Sequence, residues 1–349
     1  MRLEAIPLWK SVPAALRRFF LFKSLPRTLF STCWIMFGMH SRIGIPERPI
    51  AVTFSISEDQ ALLWFRLARA ALGERFDFAI FDSAGDFDPV LFPGARVVRL
   101  ANFYHGTKID IAIRHVLGAE TVFLCDDDKY PLTDLSSELS MLRDPGTAAV
   151  SLCPRRSHVL RIGGADHAPM GSYALLFKRS VFSLPQFHFS SPRRAISPYR
   201  HFPDPSVKIQ RGYDTGDRAN ELLLRAGYAV SHASGAVGFD GLSAPRILSR
   251  ICGADAVLRA LRAVFHCRQG SVNGSVMRGA YGLAAFESVF RAAFGRSPRF
   301  STGFRRKGLR SAVLANSFLS PEDRGIITEY FDSIDRICHT LTERARRGS

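Results

Sequence analysis

Three consecutive carboxylates, Asp126, Asp127 and Asp128, close the apolar run Thr121-Val122-Phe123-Leu124-Cys125. Four apolar residues in a row predict a short buried strand. Acids just past a strand's carboxyl end lie where open α/β sheets take their ligands. Side by side they repel one another, so a bare cluster is costly to hold. A divalent cation removes that cost, and Mg²⁺ or Mn²⁺ takes carboxylate and phosphate oxygens as ligands. If the extended backbone persists, Asp126 and Asp128 point one way and Asp127 the other. The plain alternative is a solvated acidic turn ahead of Pro131.

The elements needed to position these acids follow from periodicity. Pro49 to Ile56 predicts a first strand, with Ser57 as the cap of an amphipathic helix over Gln60 to Leu72, closed by Gly73. Phe76 to Phe81 predicts a second strand and Arg96 to Leu100 a third. His105-Gly106-Thr107-Lys108 opens a helix that runs through Leu117 and stops at Gly118. Ser55 and Asp82 therefore fall at strand ends beside the acidic trio. A helix over Leu132 to Arg143, capped by Thr133 or Asp134, and strands over Thr147 to Leu152, Ser172 to Phe177 and Tyr228 to His232 are expected next. Gly163 to Gly171 and the Pro/Arg/Ser-rich stretch from Gln186 to Gly212 read as loops. Strand–helix alternation with short links argues for a mostly parallel sheet flanked by helices. From Ala244 onward the pattern is helical, with helices over 247–265 and 276–294. Another starts at Ser320-Pro321, with a stripe of Ile326, Ile327, Tyr330, Phe331, Ile334, Ile337, Cys338 and Leu341.

The chain has 349 residues and a formal charge of +16, which asks for an anionic partner. The six cysteines lack paired spacing, which fits a reducing compartment rather than a disulfide framework or zinc knuckle. No apolar run is long enough to span a membrane. Basic residues among Phe and Leu in residues 1–46 suggest an amphipathic segment on an anionic membrane surface. Expected domains are that segment, a catalytic domain over 47–243, and a helical region over 244–349. A nucleic-acid-binding protein with a structural acidic trio is the alternative explanation of the charge. The arginines, however, are scattered and carry no binding motif, so no nucleic acid is expected.

The run from His105 through Asp128, with its helix, Gly118-Ala119-Glu120 turn, apolar strand and DxD, resembles the central block of GT-A glycosyltransferases of the family 2 kind. The resemblance implies a mixed, mostly parallel Rossmann-like sheet with a helical C-terminal extension. It implies a nucleotide-sugar donor held through Mn²⁺ or Mg²⁺ and a glycan or glycolipid acceptor. Carried over position by position, Asp126 and Asp128 are metal ligands, with Asp126 or Asp127 near the donor ribose. Ser55 and Asp82 hold the nucleoside, and Lys108 approaches the donor. His232 is a further metal ligand, with Asp240 competing. Asp214 or Asp217 is the general base, one of them serving as a helix cap. The implied setting is bacterial surface polysaccharide or lipopolysaccharide synthesis, cytoplasmic and peripheral at the inner face of the membrane. A haloacid-dehalogenase-type phosphatase would need Thr or Val where Tyr130 stands. A nucleotidyltransferase would need a Gly-rich basic loop in place of Ser55-Ile56-Ser57-Glu58-Asp59.

Overall fold

The computed structural model describes residues 25–152, 158–168, 170–190, 199–201, 215–233, 274–299, 301, 303, 305–315 and 320–347. Helix α1 (Leu25–Met36) precedes strand β1 (Ile50–Ser55), helix α2 (Glu58–Leu72) and strands β2 (Asp77–Asp82) and β3 (Ala95–Arg99). Helix α3 (His105–Ile111) runs on as a π-turn over Ala112–Val116 and leads into β4 (Thr121–Cys125). Then come α4 (Ser136–Leu142), β5 (Thr147–Ser151), β6 (His158–Ile162), β7 (Ala165–His167) and β8 (Ala174–Lys178). They are followed by the one-turn α5 (Arg179–Phe182), β9 (Tyr199–His201), α6 (Asp217–Arg225) and β10 (Ala229–His232). Helices α7 (Gly274–Phe294), α8 (Arg306–Leu314) and α9 (Pro321–Arg347) close the described chain.

Seven strands form one sheet in the order β10-β5-β8-β4-β1-β2-β3. All neighbours run parallel except β8, which is antiparallel to both β4 and β5. This is the mixed, mostly parallel sheet that the sequence predicted. Every residue of β1 and of β5 is buried, because helices cover both faces. Alternate side chains feed two separate cores. Phe78, Ile80, Phe123 and Cys125 join Trp64 and Phe65 of α2 with Tyr281, Phe286 and Phe331 of α7 and α9. Ala79, Phe81, Val122 and Leu124 join Ile35 of α1, Ile109 of α3 and Phe177, Phe182 and Phe189.

Several boundaries differ from expectation for local reasons. The helix expected from Leu132 starts only at Ser136. Leu135 is held fully buried in the left-handed region at φ 57, and Asp134 accepts from the Ser136 amide at 3.1 Å as an Asx turn. Residues 158–167, read partly as a loop, are a hairpin turning on Gly163 and Gly164, whose φ values of 59 and 85 suit glycine pairs in tight hairpins. The stretch 186–212 contains β9, which pairs with β6. Ser57 occupies the N-cap position of α2 but makes no side-chain cap. Ile326, placed on the apolar stripe of α9, is 54% exposed, whereas Ile327, Phe331, Ile334, Cys338 and Leu341 are buried. The helix expected at 247–265 lies outside the described residues.

Candidate active site

The chemistry-bearing side chains gather at the carboxyl ends of β1, β2 and β4. The chain turns within the acidic loop, where the Lys129 amide donates to the Asp126 carbonyl at 3.0 Å. Asp127 continues the Phe123/Cys125 side toward α2, and Asp126 continues the Leu124 side toward α3. Asp127, only 6% exposed, accepts from Ser55 Oγ at the end of β1 and from Gln60 Nε2 of α2 at 3.1 Å. The Ser55 hydroxyl also accepts from the Ser57 amide at 3.0 Å, so it is fixed between strand and helix. Asp126 is partly exposed and lies 3.4 Å from His105 Nε2. The His105 ring stands edge-on to Phe54, 5.7 Å between centroids. Asp128 is almost fully buried.

Lys108 enters the same space from the second turn of α3. Its Nζ meets Asn102 Oδ1 at 3.1 Å and Ser83 Oγ at 3.3 Å, and stands 5.9 Å from the centre of the Phe54 ring. Burial pulls its pKa down to about 8, while the Asp127 and Asp126 charges pull it back up. A buried lysine titrating near neutrality beside a carboxylate cluster marks a functional site more often than a structural one.

Asp82 has a different task from the one expected. It is fully buried, and its carboxylate accepts from the amides of Ala84, Gly85 and Phe87 at 2.9, 2.6 and 3.1 Å. Burial raises its pKa against those amides. Asp82 therefore shapes the loop after β2, and that loop in turn presents Ser83 to Lys108.

Of the two carboxylates expected as base, Asp214 lies outside the described residues, as does Asp240. Asp217 is the first residue of α6 and is fully buried. Asp217 is not the helix cap, since Gly216, at φ 82, takes that position. The start of α6 is tied to the start of α3. Thr215 Oγ1 donates to Tyr104 Oη at 3.2 Å, and the Gly216 amide donates to the Phe189 carbonyl at 3.1 Å. Asp110 of α3 accepts from the Phe189 amide at 2.7 Å. Gly106 permits this approach, because a Cβ there would fall 2.5 Å from the Phe189 carbonyl oxygen.

The structure does not bring His232 to the acids. It ends β10, with β5 and β8 between it and β4, so strand spacing alone puts it roughly 14 Å away. Its ring bonds the Ala168 backbone, and burial lowers its pKa. Among the described residues, no group of three or more His, Cys, Asp or Glu side chains gathers as a cation cage.

The site is also held from behind by the C-terminal helices. Arg296 and the Arg299 amide bind Asp59 at 3.1 and 2.6 Å, and Arg299 pairs with Glu58 at 2.6 Å. Those acids flank Gln60 on the first turn of α2. Arg344 of α9 donates to the carbonyls of Pro131 and Leu132 at 2.8 Å each, just beyond the acidic loop. These carbonyls thus have partners outside any helix.

Gln60, Ser83, Asn102 and His105 are the participants that the sequence reading missed. Gln60 stands three residues after Ser57, a spacing that reads as a helix start. His105 belonged to a run read only as a helix opening.

No family model and no curated protein matches the chain. Among solved structures it is similar to the mannosyltransferase PcManGT from Pyrobaculum calidifontis in complex with GDP-Man and Mn²⁺. That likeness has 12% identity and a TM-score of 0.39, and covers 96% of this chain and 98% of the other. It is also similar to TarS from S. aureus at 10% identity and a TM-score of 0.33, covering 85% of this chain and 55% of that one. At such TM-scores these likenesses decide nothing about chemistry, which has to be read from the residues of the site itself.

Proposed function

We propose that this chain is a metal-dependent glycosyltransferase, moving a sugar from a nucleotide-sugar donor to a glycan or glycolipid acceptor. The observation that carries the reading is the buried Asp127–Ser55–Gln60 network, with Lys108 beside it, at the carboxyl edge of the sheet. That network fixes the loop from which Asp126 and Asp128 project. Hard oxygen donors of this kind suit Mg²⁺ or Mn²⁺, which commonly takes one or two protein carboxylates and completes its shell with substrate phosphates and water. The absence of a larger cage among the described residues fits that mode. Asp126 and Asp128 would hold the cation, and its chemistry would be to neutralise charge on a departing diphosphate.

The remaining work falls to the chain's own groups. Ser55 and the loop shaped by Asp82 border the space in which a nucleoside would lie. Lys108, cationic below about pH 8, would meet donor phosphate. We assign the base role to the turn carrying Asp214 and Asp217, and single substitutions to Asn decide between them. The strongly positive charge supports work on a membrane-linked acceptor at the inner membrane face, as in bacterial surface polysaccharide or lipopolysaccharide synthesis.

The test is the thermal midpoint with UDP, GDP, CMP or TDP, each with and without Mn²⁺. A ligand that binds the native state raises the midpoint by mass action. The expected result is a metal-dependent rise with one nucleotide, lost in Asp128→Ala and weakened as pH rises through about 8. No rise with any of the four would overturn the reading and bring the nucleic-acid alternative forward.

A further inference from the structure

Helix α1 is anchored by one face and bare on the other. Thr28, Thr32 and Ile35 are buried at 2%, 2% and 0% exposure. Thr32 Oγ1 accepts from the Ala101 amide at 2.9 Å, and Ser31 Oγ donates to the Arg99 carbonyl at 2.7 Å. These bonds fix the roll of the helix against the β3 edge. On the opposite side Phe30, Trp34 and Phe37, spaced i, i+4, i+7, are 71%, 47% and 76% exposed. The Phe30 and Trp34 rings stack at 6.3 Å. Met36, Met39 and Ile45 extend the bare surface at 55%, 57% and 57% exposure. Leaving large aromatics in water forgoes roughly 2 kcal/mol each, and a contiguous patch of this kind marks an interaction surface.

The charge of the surrounding sequence chooses the partner. From Ala5 to Pro46 the chain holds six Lys or Arg and no Asp or Glu. Arg42 is exposed, and so is Arg96, which shares the Val98 face of the edge strand with α1. Aromatic residues and methionine with basic flanks are the composition of an interfacial helix on an anionic bilayer. A protein groove would more often show acids mixed among the bases.

We propose that the Phe30–Trp34–Phe37 face of α1 docks the protein on an anionic lipid bilayer, the aromatic rings entering the acyl–headgroup boundary and the arginines meeting lipid phosphate. The placement is economical, since Thr32 holds Ala101, the neighbour of Asn102, which meets Lys108. The bilayer would therefore lie beside the mouth of the site. The docking argument itself does not depend on the glycosyltransferase reading.

The test is flotation of the full chain with phosphatidylcholine vesicles, with and without phosphatidylglycerol. The expected result is binding to the anionic vesicles, reduced by high salt and weakened about tenfold or more in Phe30→Ser/Trp34→Ser/Phe37→Ser. Because a triple variant risks misfolding, its circular dichroism and thermal midpoint must match the parent. Independently, brominated acyl chains should quench the fluorescence of the parent protein and quench Trp34→Phe much less. Equal quenching of both, or no flotation of the parent, overturns the proposal. So does a parent that elutes as a dimer and ignores vesicles while the triple variant elutes as a monomer, since the face then belongs to a second copy. None of these readouts uses nucleotide, so failure here and failure of the donor-site reading are separable.

Discussion

The two ends of the central sheet treat charge in opposite ways. At the amino end a groove of about 720 Å³ is lined by Arg48, Glu74, Arg75, Glu120, Arg143 and Lys178. Its ion pairs are open to water. Arg48–Asp77 spans 3.2 Å at 40% and 32% exposure, and Arg75–Asp134 spans 3.2 Å at 55% and 58%. Lys178 spends its ammonium on the carbonyls of Asp144 and Pro145. At the carboxyl end, Asp127, Asp128, Lys108 and Asp82 are all buried. The amino-end groove is thus an ordinary solvated one. Exposed pairs are worth about 0–1 kcal/mol each, whereas buried titratable groups must be held by specific partners and carry perturbed acidity. Costly burial of charge, not its mere presence, sets the functional end of this sheet apart.

The largest expected effect comes from Asp127→Ala, which strips the acceptor from two buried donors, Ser55 and Gln60. Unfolding in urea should show a loss of about 3 kcal/mol, together with loss of any nucleotide-induced stabilisation. A loss below about 0.5 kcal/mol would make the carboxyl end no different from the amino end.

Next comes a pH effect at Lys108. Its folded pKa of about 8 lies below the ordinary lysine value of 10.5, so between these the unfolded chain binds more protons. The penalty for burying the cation is fully present below about pH 8 and fades as pH rises toward 10.5. Parent stability relative to Lys108→Met should therefore improve by about 3 kcal/mol across that window. Urea melts at several pH values check this, and a flat difference would mean that Lys108 is solvated.

A smaller change is expected for Arg344→Ala, which frees the Pro131 and Leu132 carbonyls behind the acidic loop. Stability should fall by about 1–2 kcal/mol, and amide exchange in residues 126–135 should quicken more than in β1. Smallest of all, Arg48→Ala at the amino end should cost under about 1 kcal/mol and leave nucleotide response unchanged.

Much of this arrangement was legible in the sequence because it depends on local patterns. The strands ending at Ser55, Asp82 and Cys125 announce themselves by apolar runs that stop at polar residues, and the sheet places such ends side by side. Asp126 and Asp127 face opposite helices, as alternation along a strand would have them, although the chain is already turning there. What escaped depends on long-range packing. Gln60 meets Asp127 only because α2 folds back along β1, which pairs with β4, and His105 meets Asp126 only because α3 lies on the other face. The carbonyls of Pro131 and Leu132 are held by Arg344, more than two hundred positions further on, and no window around Leu132 contains that information. His232 was misplaced for the same reason, since a strand's position in the sheet order cannot be read from its own residues.

The grip of Arg344 on Pro131 has a consequence for biosynthesis. The two residues are 213 positions apart, and a ribosome adding about 5–20 residues per second needs roughly 10–40 s to make the second after the first. The strands around the acidic loop can pair long before then, but the loop keeps an unfinished wall until the last helix emerges. A nascent chain halted before α9 would thus own every acid of the site without yet holding them still.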